Sequence, residues 1–132
     1  MTSRIVCDAS AIVAALLDSG TDGQWVTARM SDADLYAPTL LPFECANVIR
    51  RQALARTISL DQAVQAHSDL LDLAIDYWPY EPLAQRIWEL RGNLSSYDAA
   101  YVALAEELGA IVVTLDVRMQ RAPNLGCEVV CP

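Results

Sequence analysis

Apolar and polar positions along the chain alternate between two patterns: short apolar runs, and longer stretches with helical spacing. Residues 4–7, 35–37, 75–78, 111–115 and 127–130 read as strands. Helices are predicted from Asp8 to about Leu17, closed by Ser19-Gly20, and from about Asp22 to Met30. Pro42 suits a helix start, because its missing N–H would be unpaired there, and that helix runs to about Arg56. Others cover about Leu60–Leu73 and Pro82–Arg91. Ser96 can cap a further helix that Gly109 ends. A short helical turn follows residues 111–115. This alternation predicts an α/β fold with a central, mainly parallel sheet. No linker, repeat or low-complexity tract interrupts it, so residues 1–132 are expected to form a single domain.

Four acids break the pattern. Asp8 ends the run Arg4-Ile5-Val6-Cys7, Glu44 lies within Leu41-Pro42-Phe43-Glu44-Cys45-Ala46-Asn47, Asp98 within Ser95-Ser96-Tyr97-Asp98-Ala99-Ala100-Tyr101, and Asp116 ends Ile111-Val112-Val113-Thr114-Leu115-Asp116. Three have an ordinary explanation. Asp8 or Ser10 can cap the helix that follows, Asp116 can open the turn leading to Arg118, and Asp98 can face the positive end of a helix dipole. Glu44 is harder to dismiss, since Leu41, Glu44, Cys45 and Val48 share one helical side. A charge at the edge of an apolar stripe needs a partner, either an Arg or a metal held with other carboxylates. Asp8 and Asp116 follow strands, and α/β sheets bind ligands beyond strand carboxyl ends. Four carboxylates brought together there would require a cation, and hard oxygen donors suit Mg²⁺ or Mn²⁺. The usual work of such a site is phosphodiester hydrolysis.

Composition narrows the alternatives. With 54 % hydrophobic residues the chain is not disordered, and no apolar run reaches the ~18 residues a membrane span needs. The N-terminal apolar run ends at Asp8, too soon for a secretory signal, so a cytoplasmic location is expected. Cys7, Cys45, Cys127 and Cys131 lack paired zinc-site spacing and read as reduced, buried thiols. The net charge of −8 argues against a generally basic nucleic-acid surface. All nine basic residues are Arg, so a lysine-containing phosphate loop is absent. The serines lack a plausible His partner for a hydrolase triad, and His67, the one histidine, reads as a surface or packing residue. Tyr77-Trp78-Pro79-Tyr80 reads as a buried strand and its exit.

Taken in order, Ile5–Ser10, Glu44–Arg51, Ser96–Ala105 and Thr114–Met119 resemble the motifs of PIN-domain ribonucleases, most closely the VapC toxins of type II toxin–antitoxin modules. The resemblance covers essentially the whole chain. It implies a PIN-like α/β/α sandwich and an endoribonuclease whose Asp8, Glu44, Asp98 and Asp116 hold Mg²⁺ or Mn²⁺. It implies supporting roles for Ser10, Asn47 and Thr114, a homodimer, and inhibition by a cognate VapB-like antitoxin. Arg50, Arg51 and Arg56 are candidates for holding RNA phosphates. Two competing readings are a PIN-type nuclease acting on structured DNA and a non-catalytic PIN-like module that acts through its protein partner.

Overall fold

A computed structural model describes residues 2–132. The apolar run after Ser3 extends as β1 (Ser3–Cys7), with Ile5, Val6 and Cys7 buried. It is paired on both sides, which suits a strand apolar on successive residues. On one side lies β2 (Ala33–Pro38), with Ile5 opposite Leu35; on the other lies β4 (Ile111–Val113), with Cys7 opposite Val113. The outer strands are β3 (Ile75–Trp78), beside β2, and β5 (Val129–Val130), beside β4. Every pairing is parallel and the order is β3-β2-β1-β4-β5.

Helices cover the sheet on both faces. The connections β1→β2→β3 advance one way across the sheet and β3→β4 returns, so right-handed crossovers put their helices on opposite faces. One layer holds α1 (Ala9–Leu17), α2 (Thr21–Met30), α3 (Leu41–Leu54) and α4 (Leu60–Asp72). The other holds α5 (Ala84–Glu89), entered through a 3-10 turn at Glu81–Leu83, and α6 (Ser96–Leu108). The short α7 (Val117–Arg121) follows β4. In α6 every residue from Ala99 to Ala105 is buried, as in a helix apolar on all sides and covered all round. The fold is therefore the expected PIN-like α/β/α sandwich with a parallel central sheet. Among the described residues no helix is long and apolar enough to cross a membrane.

Local chemistry sets most element ends. Ser59 and Gln62 form a reciprocal capping box on α4, and Gly109 closes α6 at φ 63°, the left-handed region that glycine enters freely. The α6 cap is Ser95 rather than Ser96: Ser95 is extended and its Oγ accepts from the Asp98 amide at 3.1 Å, while Ser96 is already helical. The strand expected over 111–115 is shorter: it ends at Val113, although the Thr114 amide still donates to the Val130 carbonyl at 3.1 Å, and the final strand keeps only Val129 and Val130. The aromatic segment after Ile75 is less buried than expected, since β3 is an edge strand and both Tyr77 and Tyr80 are exposed.

A polar clamp secures the C-terminal segment. Glu106 on α6 accepts from Arg86 Nε at 2.6 Å, from Arg86 Nη2 at 3.0 Å and from the Gly126 amide at 2.5 Å. Arg86 also donates to the Asn124 carbonyl at 3.0 Å. Burial pushes the Glu106 carboxyl up, but Arg86 and the Gly126 amide outweigh it and hold it below its ordinary value. A lowered carboxyl stabilises the fold above its ordinary pKa and loses that contribution as the pH falls through the lowered value. Glu106→Gln should therefore cost ~1–3 kcal/mol in urea unfolding at neutral pH. The difference from wild type should shrink at about pH 3. An equal difference at both pH values would show that the charge is not what holds the clamp.

Candidate active site

The strand order reverses between β1 and β4, and in such sheets ligands bind beyond the carboxyl ends of the strands at that point. The chain delivers all four acids to that edge for one reason: each begins a helix whose N-terminus lies there. Asp8 is the N-cap of α1, Asp116 is the N-cap of α7, and Glu44 and Asp98 lie in the first turns of α3 and α6.

Asp8 is 5 % exposed and held on both oxygens. Its Oδ1 accepts from Ser10 Oγ at 2.6 Å and from the Ala11 amide at 3.0 Å; its Oδ2 accepts from Thr114 Oγ1 at 2.5 Å. The same hydroxyls accept in turn, Ser10 from the Leu115 amide at 3.0 Å and Thr114 from the Asp116 amide at 2.9 Å. Ser10 and Thr114 thus bind the end of β1 to the segment carrying Asp116. Burial raises the Asp8 carboxyl above its ordinary value, these donors pull it down, and the Asp98 charge adds to the rise.

Glu44 has a hydrogen-bond partner that was not among those expected. The Tyr101 hydroxyl donates to its Oε1 at 2.5 Å, from α6 across to α3. Burial raises the Glu44 carboxyl, Tyr101 opposes this, and Asp98 and Asp8 add to the rise. The sequence signal for Tyr101 was its position three residues after Asp98 in an otherwise aliphatic buried stretch, where a hydroxyl must find a partner.

Asp98 is half-buried, and its carboxyl is raised by burial and by Asp116, with Arg118 acting against them. Asp116 behaves oppositely. Arg118 grips both its oxygens at 3.2 Å and gives its amide at 2.9 Å, which holds the Asp116 carboxyl below its ordinary value. All four acids thus lie within electrostatic reach of a neighbour in the set. As the side chains stand, however, no three carboxylates, thiols or imidazoles among the described residues are grouped to hold one metal ion. Three of the four acids are turned to donors of their own: Asp8 to Ser10 and Thr114, Glu44 to Tyr101, Asp116 to Arg118.

The remaining candidates fall at various distances from this rim. Asn47 is exposed one turn beyond Glu44, in a cleft of about 350 Å³ lined also by Leu40, Phe43, Glu44 and Tyr97. Asp98, Asp116 and Arg118 line a second cleft of about 310 Å³. Arg50 and Arg51 are exposed on α3, and Arg56 lies beyond its end at φ 61°; none pairs with an acid among the described residues. Cys7 and Cys45 are buried beside the acids, and burial pushes both thiols up to about 12. They stay protonated at neutral pH and are poor ligands or nucleophiles. All four cysteines are free, and His67 is exposed on α4.

The donor set fits a hard divalent cation. Three carboxyls are raised by burial and by other acids, so a cation at the rim would relieve repulsion and attract phosphate that bare carboxylates repel.

Relatives of known kind share this arrangement of chain. Ribonuclease VapC9 of Mycobacterium tuberculosis is 39 % identical over 125 residues, covering 95 % of each chain. The crystal structure of PAE2754 from Pyrobaculum aerophilum matches with TM-score 0.66 and 26 % identity, over 98 % of this chain and 92 % of that one. DNA-bound VapBC from Salmonella typhimurium shares the fold at TM-score 0.67 and 13 % identity, covering 98 % of each chain. The family model for the PIN domain matches residues 5–125, a span that contains all four acids, and the chain belongs to the PIN domain family.

Proposed function

We propose that this chain is a divalent-metal-dependent endoribonuclease, the cytoplasmic toxin of a type II toxin–antitoxin module, formed as one PIN domain over residues 1–132. The observation that carries this reading is the delivery of four acids to the sheet's switch point in a chain so similar to a VapC ribonuclease. Asp8, Glu44, Asp98 and Asp116 would hold Mg²⁺ or Mn²⁺. A bound ion supplies Lewis-acid polarisation of the phosphate and lowers the pKa of water. The chain's own residues do the rest. Ser10 and Thr114 fix Asp8, and Tyr101 orients Glu44. One of these carboxylates would accept the proton of the attacking water. Arg118 leaves Asp116 and meets a phosphate oxygen, where its planar fork binds well. Arg50, Arg51 and Arg56 hold phosphates further along. The products carry 5′-phosphate and 3′-hydroxyl ends. The partner is a VapB-like antitoxin, as the likeness to VapC ribonucleases implies.

The chain is also proposed to be a homodimer. Leu54 at the end of α3 and Leu60, Val64 and Leu71 on α4 are all exposed, and such a stripe is usually covered. Light scattering at micromolar concentration should find twice the chain mass, and Val64→Asp should return it to one.

RNA cleavage should disappear in excess EDTA and return with Mg²⁺ or Mn²⁺, while the same sequence as DNA stays intact. Full cleavage by repurified protein in EDTA would refute the metal site. Asp98→Asn should lower the rate by ~10²-fold or more.

The same substitution should stabilise the metal-free fold. A carboxyl raised above its ordinary value favours folding at low pH and opposes it once the pH exceeds the raised value. At neutral pH, metal-free Asp98→Asn should melt above wild type by a few degrees, and the gap should close toward about pH 4. Mg²⁺ should raise the wild-type melting temperature more than the variant's. Equal Mg²⁺ shifts, with cleavage intact, would reduce Asp98 to a helix-start residue.

A further inference from the structure

Two large aromatic side chains stand in solvent where a fold would ordinarily bury them. Phe43 is 77 % exposed and Tyr97 is 62 % exposed. Each immediately precedes a rim acid, Glu44 and Asp98 respectively, so each is fixed close to a carboxylate. They come from different helical layers, α3 and α6, yet they line the same cleft of about 350 Å³ with Glu44, Leu40 and Asn47. Tyr97 also lines a second apolar cleft of about 170 Å³ with Tyr80. Neither aromatic is needed by the core, and neither is explained by metal binding.

We propose that Phe43 and Tyr97 form a base-stacking cleft for single-stranded RNA beside the four acids, with the Asn47 amide reading the edge of the stacked base. This rests on the reading that the rim cleaves RNA. The cleft has room for one nucleotide, its aromatic walls accept any unstacked base, and Asn47 offers both donor and acceptor.

Charge makes the case for stacking. The chain carries −8, with nine Arg and no Lys. Arg4, Arg29 and Arg91 already lie over Tyr36, Trp25 and Trp88. Arg86 and Arg118 are paired with acids. Among the described residues Arg50, Arg51, Arg56 and Arg121 are left to meet phosphates, joined by Arg118 when it leaves Asp116; so few cations in a chain of net charge −8 bind an RNA backbone weakly by themselves, whereas stacking works regardless of net charge. A second copy of the chain is the poorer occupant, since the stripe on α4 offers it more exposed aliphatic surface.

The test uses a short unstructured RNA with 2-aminopurine next to the mapped cut, whose fluorescence falls on stacking. In Mg²⁺, Phe43→Ala and Tyr97→Ala should each raise KM by about tenfold, within the range one base–aromatic stack is worth, with kcat nearly unchanged. Tyr97→Phe should behave as wild type and Tyr97→Leu as Tyr97→Ala, which separates an aromatic face from mere apolar bulk. Quenching should be read in an Asp98→Asn background, where the RNA survives, and should be lost with Tyr97→Ala. Unchanged KM and quenching in both alanine variants would overturn the cleft while leaving the nuclease reading intact. Dissociation of the dimer in those variants with quenching preserved would make the patch an interface between copies, and also overturn it. If the wild type cleaves no RNA, the nuclease reading falls, and quenching still decides the cleft: its loss with Tyr97→Ala supports stacking, and its absence in wild type refutes it.

Discussion

Holding four carboxylates on one partly buried rim, against desolvation first and mutual repulsion second, is the constraint on which the arrangement of this rim depends. The chain places every one of them at the start of a helix, where unpaired backbone N–H groups and the positive end of the dipole favour negative charge. A helix start is worth ~0.3–1 kcal/mol to an exposed carboxylate. That is not enough here, because Asp8, Glu44 and Asp98 remain raised above their ordinary values. The hydroxyls of Ser10, Thr114 and Tyr101 offset part of the rise at Asp8 and Glu44, and Arg118 alone brings its acid, Asp116, below the ordinary value. These groups divide the work by position. The interior acids receive neutral hydroxyl donors, which can be buried cheaply. The outer acid receives an exposed cation.

Helix capping and a functional site therefore do not compete as explanations for Asp8, Asp98 and Asp116. Asp8 and Asp116 do cap helices, and capping is what aims their carboxylates beyond the strand ends. This is why the placement of Asp8 and Asp116 was legible in sequence: an acid after an apolar strand marks both a cap and the edge where such sheets bind ligands. The central strands were legible because β1 and β4 are apolar on successive residues, as buried parallel strands are. What escaped depended on contacts distant in sequence. Tyr101 lies 57 residues from the Glu44 it holds, and no local pattern pairs them. Ser95 and Ser96 are equivalent as caps until the backbone turns at one of them. Of the strand expected over 127–130 only Val129 and Val130 pair, opposite Val112 and Val113 of a β4 just three residues long.

Tyr101 links the core to the chemistry. Its ring is among the largest fully buried side chains, and its hydroxyl emerges at the rim on Glu44. A glutamate has three rotatable bonds, and without a fixed partner would sample many positions. The buried ring fixes that partner, so packing between the helical layers sets where the Glu44 carboxylate points. Asp8 is fixed similarly, through hydroxyls anchored to the backbone at Leu115 and Asp116. Asp116 differs, since its clamp is a solvent-exposed Arg on its own short helix.

The rim is thus rigid on the β1 and α3 side and adjustable on the α7 side. That asymmetry matters in a chain of net charge −8. A uniformly rigid ring of bare carboxylates would repel a polyanion at every approach, and a uniformly loose one would not position a cleavable phosphate. On the proposed reading, the exposed Arg118 would pass its positive charge from Asp116 to an incoming phosphate as a cation took its place. The charge of the rim would then change on binding while the strands and the Tyr101 contact stayed where they are, and a basic fold would not be needed to admit RNA.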